Sequence, residues 1–142
     1  MSGTLVTRQL VLLAQQPASE ALGLAPADQK AAADARRALV EALADRRDPT
    51  ALEALVALGE SGEDEVAVTA LRAIGRLSYT GVAPERIAAA AGKLVAVLKD
   101  AAADELRRDA AAQSCVPLAA ATRPHDPKAA LALYQEVLAH AP

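Results

Sequence analysis

Apolar residues recur along this chain at intervals of three and four. Prolines, glycines and short polar clusters interrupt the pattern at helix-sized distances, as in a succession of amphipathic helices. The first segment, Thr4 to about Gln16, carries Leu5, Leu10, Leu12 and Leu13 and stops at Pro17. Residues 17–26 contain two prolines and a glycine and read as a connector. Pro26 opens a helix expected to reach Arg46, with Asp28 in its first turn and Arg46 in its last, both favourable to the macrodipole. Asp48-Pro49-Thr50 restarts the chain into a helix over about 50–60, which points Leu52, Leu55 and Leu58 inward. Ser61-Gly62 separates it from a helix over about 64–78.

Thr80-Gly81 closes that segment, and Pro84-Glu85 opens the next, to about Lys99. Gly92 within it costs about 1 kcal/mol relative to alanine and could mark a bend. A helix over about 103–121 follows and should kink at Pro117, where a backbone donor is missing. Arg123 to Pro127 is a loop by composition. A last helix, 127–140, has Leu131, Tyr134, Val137 and Leu138 on one face. Seven helices and no strand result.

The segments repeat. A shift of 40 residues lays Leu58 on Leu98, Glu65 on Glu105, Val66 on Leu106 and Ala70 on Ala110. The intervals Leu58–Val66 and Leu98–Leu106 are both eight residues, which predicts equal turns. A period near 40 with two helices per unit belongs to helical solenoids.

Composition favours the same class. Of 142 residues, 38 are Ala and 20 are Leu, and the only aromatic residues are Tyr79 and Tyr134. A β-sandwich or barrel needs the β-branched and aromatic residues that are scarce here. The net charge of −3 gives no global pull toward nucleic acid. Residues 1–71 carry six basic and eleven acidic side chains, and residues 72–142 carry nine and seven, an asymmetry that fits solvated helix faces. The lone Cys115 forbids an internal disulfide and suits a reducing, cytoplasmic setting. No signal-peptide core or membrane span is expected. Eleven arginines against four lysines, beside abundant alanine, suggest a GC-rich bacterial genome.

The segment LVAVLKDAAADELRRDAAAQ, Leu94 to Gln113, resembles the HEAT-repeat family. It has the leucine-rich first helix, Asp100 in the turn, and a second helix opening with Leu106 and Arg107. The preceding unit departs from that pattern with Ala67 where arginine would stand. The final segment, DPKAALALYQEVLAHAP, also looks like the second helix of a tetratricopeptide repeat, and reads as a terminal cap. The resemblance implies one right-handed α-solenoid domain over 1–142: a degenerate leading repeat (1–48), repeats at 49–79 and 84–121, and a cap helix at 127–140.

Catalytic motifs are missing: no phosphate-binding glycine loop, no His-Glu-x-x-His, no cysteine pair and no nucleophile elbow. Cys115 reads as a buried small hydrophobe, His125 and His140 as solvated residues. Glu63-Asp64-Glu65 and Asp104-Glu105 precede helices, where negative charge is favourable without any metal. Arg36-Arg37, Arg46-Arg47 and Arg107-Arg108 each have carboxylates nearby and read as local ion pairs. No catalytic residue, metal or cofactor is therefore expected.

In helix 64–78 the stripe Val66, Ala70, Ile74, Leu77 should be buried, leaving Val68, Arg72, Arg76 and Tyr79 opposite. The 40-residue shift continues that second stripe through Arg108, Ala112 and Val116. In a solenoid the second helices share a concave face, so Val68, Arg72, Arg76, Tyr79 and Arg108 become candidate partner contacts. The competing reading is an ordinary solvated face. Tyr79 is expected to be available and Tyr134 to be core. The function expected is a non-enzymatic adaptor for another protein, without nucleic acid or membrane insertion. Alternatives are a HEAT-type nucleic-acid protein, as solenoid DNA glycosylases imply, an accessory or lyase-type subunit acting on a partner's prosthetic group, and a homo-oligomer.

Overall fold

A computed structural model describes residues 2–14, 26–61 and 64–142. The expected connector 17–26 lies outside them up to residue 25, as do Gln16, Gly62 and Glu63. Among the described residues the chain is all-helical, with seven α-helices, one short 3-10 turn and no strand. The helices are α1 (Ser2–Ala14), α2 (Pro26–Arg46), α3 (Leu52–Ser61), α4 (Asp64–Ile74), α5 (Pro84–Lys99), α6 (Glu105–Thr122) and α7 (Pro127–His140); the 3-10 turn is Pro49–Ala51. No helix among these residues is long and apolar enough to cross a membrane.

Local chemistry sets the starts. Asp48, Asp104 and Asp126 each precede an element and accept hydrogen bonds from the backbone N–H groups of Thr50 (2.9 Å), Arg107 (2.7 Å) and Ala129 (3.0 Å). These bonds satisfy donors that an uncapped helix end leaves orphaned. Proline occupies the first position of α5 and α7, where its missing N–H costs nothing.

The helices pack in two rows. In one, α4 lies between α2 and α6; in the other, α5 lies between α3 and α7. Between the rows α3 packs on α4, α5 on α6 and α6 on α7, while α1 rests on α2 and on the 3-10 turn. One continuous core fills the space. It includes Val40 and Leu43 from α2, Leu52 and Leu55 from α3, Val66, Leu71 and Ile74 from α4, Ile87, Leu94 and Leu98 from α5, and Leu118 from α6. At about 25 cal/mol per Å² of apolar surface removed from water, each large side chain here contributes about 2 kcal/mol.

Ion pairs run within the rows. Arg37 of α2 reaches Glu65 of α4 (3.4 Å), Arg107 of α6 reaches Asp64 of α4 (3.4 Å), and Arg76 pairs with Asp45. In the other row Arg86 of α5 forks onto Glu53 of α3 at 2.6 and 2.8 Å, Lys93 meets Glu60 (3.3 Å), and Lys99 meets Glu136 of α7 (2.9 Å). All are surface contacts, so they set alignment more than stability.

Several expectations are corrected. α4 ends at Ile74, not 78: Arg76 and Leu77 donate to carbonyls three residues back, and the Ser78 N–H bonds the Arg47 carbonyl (3.0 Å) instead of a helical one. A tertiary contact thus unwinds what periodicity would extend. α6 spans Glu105–Thr122, against the expected 103–121, with Pro117 inside it. The turns are unequal: two residues join α3 to α4, and five join α5 to α6. The burial pattern therefore repeats at 41, pairing Ala70, Leu71, Ala73, Ile74 and Leu77 with Ala111, Ala112, Ser114, Cys115 and Leu118, all buried. Leu106, aligned by the 40-residue shift with the buried Val66, is instead 62% exposed. In α7 the buried face is Ala130 and Leu133, with Tyr134 and Val137 partly buried; Leu131 and Leu138 point to solvent.

Candidate binding face

The outer surface of the α2–α4–α6 row is built from residues that these helices cannot bury. In α4, the stripe Val66, Ala70, Ile74 is enclosed, as the periodicity requires, and Leu77 beyond it is buried too. That leaves Arg72 exposed on the other side, with Thr69 half-buried and Val68 half-buried at the margin of the core. They line a groove of ≈ 270 Å³ with Arg37 of α2, Asp64 and Glu65 of α4, and Asp104 and Leu106 at the start of α6. The groove is an apolar strip, Val68 and Leu106, flanked by charges of both signs. The Arg37–Glu65 pair spans one side, and Arg107, half-buried, holds Asp64 at the other. Arg72 has no ion pair among the described residues.

Of the five sequence candidates, Val68 and Arg72 are brought together here. The other three are not. Arg76 lies past the end of α4, paired with Asp45, while its carbonyl accepts from Arg47 Nε at 3.2 Å. Tyr79 is partly buried against the core, and its hydroxyl donates to the Ile74 carbonyl at 2.6 Å. Burial pushes that phenol well above its ordinary range. Tyr79 is therefore a structural side chain and not a free anchor. Arg108 is half-buried outside the groove, its Nε enclosed without a hydrogen-bond partner. Ala112, placed on the same stripe, is buried; Val116 is exposed.

Arg37, Thr69 and Leu106 were missed by sequence reasoning. Arg37 could have been found through Glu65, but that pairing spans 28 residues and carries no periodic signature. Leu106 was hidden by the 40-residue shift, whose equal-turn premise fails.

Elsewhere the surface carries little chemistry. Cys115 is enclosed on α6, and burial pushes its thiol up to about 12. His125 is exposed in the loop before α7, and His140 lies 3.4 Å from Glu136 at its end. Among the described residues no three or more His, Cys, Asp or Glu side chains gather as a metal site would require. Comparison of the chain with known protein families, with curated proteins and with solved structures finds no match.

Proposed function

We propose that the chain is a non-enzymatic adaptor of HEAT-repeat type, its helix pairs forming a short right-handed solenoid that binds another protein through the α2–α4–α6 row. The observation that carries this reading is the groove that Arg37 of α2, Val68 and Arg72 of α4 and Leu106 of α6 line together. Stacked units align their second helices into a continuous surface, and arginine beside exposed apolar side chains is the chemistry that anchors interfaces. The interleaved Asp64, Glu65 and Asp104 favour a protein over a phosphate backbone, which would require a basic track with stacking aromatics. The enclosed Cys115 and the separated His125 and His140 support a binding role over catalysis. The lone reduced thiol fits a cytoplasmic setting.

The test is a paired substitution on a partner captured from the native host and located by crosslinking. Arg72→Ala with Leu106→Ala should weaken binding about thirtyfold, the loss of one interface anchor of about 2 kcal/mol. Lys93→Ala with Glu60→Ala, on the opposite row, should leave it unchanged. If the first pair binds normally and crosslinks gather around Glu60 and Lys93, the assigned face is wrong.

A further inference from the structure

The chain leaves α2 through a corner of three residues, Arg46, Arg47 and Asp48, each tied to a different neighbour. Pro49 disfavours helical backbone in the residue before it, and Asp48 is extended (φ −83°, ψ 117°), so the turn out of α2 falls on Arg47. Arg47 takes it with φ 54°, the one positive value outside glycine among the described residues. Glycine ordinarily fills such a position after a helix, and a residue with a Cβ persists there when its surroundings hold it. Three sets of bonds do so. Arg47 Nε donates to the Arg76 carbonyl at 3.2 Å, and the Arg47 carbonyl accepts from the Ser78 N–H at 3.0 Å, both just past the end of α4. Asp48 accepts from the Thr50 N–H at 2.9 Å and so opens the 3-10 turn. Arg46 Nε donates to Thr7 Oγ1 at 3.0 Å, and the Thr7 hydroxyl also bonds the Asp48 carboxylate, so α1 closes the corner from a third side.

Thr7 is fully buried, and a hydroxyl is kept in such a place with its hydrogen bonds made. The remainder of the α1 seam is slight. Ala14 is enclosed, Leu10 and Val11 are partly so, and the helix rests on α2 and the 3-10 turn. A 13-residue helix is too short to persist alone, so α1 opens at a lower free energy than the core helices. We propose that the corner couples the docking of α1 to the end of α4. With Thr7 seated, Arg46 and Asp48 are fixed and Arg47 presents its carbonyl to Ser78. With α1 lifted away, Arg46 and Asp48 lose Thr7, Arg47 leaves the left-handed conformation, and the segment Gly75–Tyr79 loosens with it. The corner is the two-state element that both ends bias, and such coupling runs in both directions. It also accounts for an arginine where glycine would be easier, since the side chain is what reaches the Arg76 carbonyl. This inference does not draw on the α2–α4–α6 groove and stands apart from the adaptor reading.

Residue-resolved amide hydrogen exchange on the full chain tests it. Thr7→Val removes the hydroxyl while keeping the β-branched shape and the helix propensity, and Arg46 is exposed enough for water to replace the lost bond. The amides of α1 and those of Arg76, Leu77 and Ser78 should then exchange about tenfold faster, while α5 and α7 keep their native rates. Arg46→Met removes the same bond from the α2 side and is read in the same way should valine unfold the chain. Thr7→Ser retains the hydroxyl and should leave Arg76 to Ser78 at native rates. In an Arg47→Gly background the left-handed turn carries no steric cost, so Thr7→Val should accelerate α1 and no longer reach Ser78. Three results overturn the inference. One is a Ser78 amide as protected after Thr7→Val as before it. Another is acceleration of α5 and α7 in step with α1, which would make Thr7 a contributor to global stability alone. The third is transmission to Ser78 undiminished in the Arg47→Gly background, which would remove the corner as its carrier.

Discussion

The thiol of Cys115 lies fully enclosed on α6, and burial pushes it up to about 12 because a thiolate there would have no solvent. A thiol reagent at mildly alkaline pH should therefore modify the native chain at least ~100-fold more slowly than the unfolded one. Fast native labelling would show that α6 opens locally. Tyr79 acts through its hydroxyl, which satisfies the Ile74 carbonyl at the end of α4. Tyr79→Phe should cost about 1 kcal/mol in urea denaturation and leave partner affinity unchanged, contrary to the anchor that the sequence suggested. Arg47, with φ 54°, holds a left-handed conformation that is strained for a side chain with a Cβ. Arg47→Gly should consequently be about 1 kcal/mol more stable than Arg47→Ala, since both lose the bond to the Arg76 carbonyl and only glycine relieves the strain.

Between elements, one close contact joins the end of α4 to α6. Ser114 Oγ donates to the Leu71 carbonyl, and a Cβ added at Gly75 would stand 3.1 Å from Ser114 Oγ and 3.4 Å from its Cα. Small residues let these two helices meet. Ser114→Leu should destabilise by about 3 kcal/mol through overpacking, and Ser114→Ala by about 1 kcal/mol through the lost hydrogen bond. A comparable fit joins α3 to α4, where a Cβ at Gly59 would fall 2.5 Å from Leu71 Cδ2 and 2.8 Å from its Cγ. Alanine gains about 1 kcal/mol of helix propensity there, but the clash with an enclosed leucine outweighs it. Gly59→Ala should be net destabilising in the native background and stabilising by about 1 kcal/mol in Leu71→Ala, a coupling that a double-mutant cycle measures.

For the whole molecule, the carboxylates that join elements govern the response to acid. The hydrogen bond from Arg86 holds Glu53 below its ordinary value near 4.5, with burial opposing and the Arg86 charge assisting. Asp48 also stands below its ordinary value: burial pushes it up, and hydrogen bonds from Thr50 and Thr7 with the charge of Arg46 outweigh that. A lowered folded value contributes stability above the unfolded value, lost as pH falls through the folded one. The thermal midpoint should therefore fall as pH drops below about 4.5. Glu53→Gln should shallow that decline without removing it, because Asp48 remains. The pair is largely exposed, so its share is at most about 1 kcal/mol. A midpoint flat through this range would exclude both residues from the acid response.

The sequence by itself determined the helices. Spacing, capping aspartates and prolines act within a few residues of where they stand, so the starts of α2, α5 and α7 and their approximate ends could be read and Val66, Ala70 and Ile74 assigned to the core. It also placed Val68 and Arg72, two of the residues that line the α2–α4–α6 groove, away from the buried stripe of α4. Tertiary structure decided the remainder. It ended α4 early, because Ser78 found the Arg47 carbonyl, a partner 31 residues away that no local pattern encodes. It set the rotation of α6 through a five-residue turn, exposing Leu106 and withdrawing Arg108, and it turned Tyr79 inward. The rotation of α7, which leaves Leu131 and Leu138 in solvent, follows from how α5 and α6 cradle it. A helix made mostly of alanine and leucine offers several apolar faces of nearly equal merit, and only its neighbours choose which one is buried.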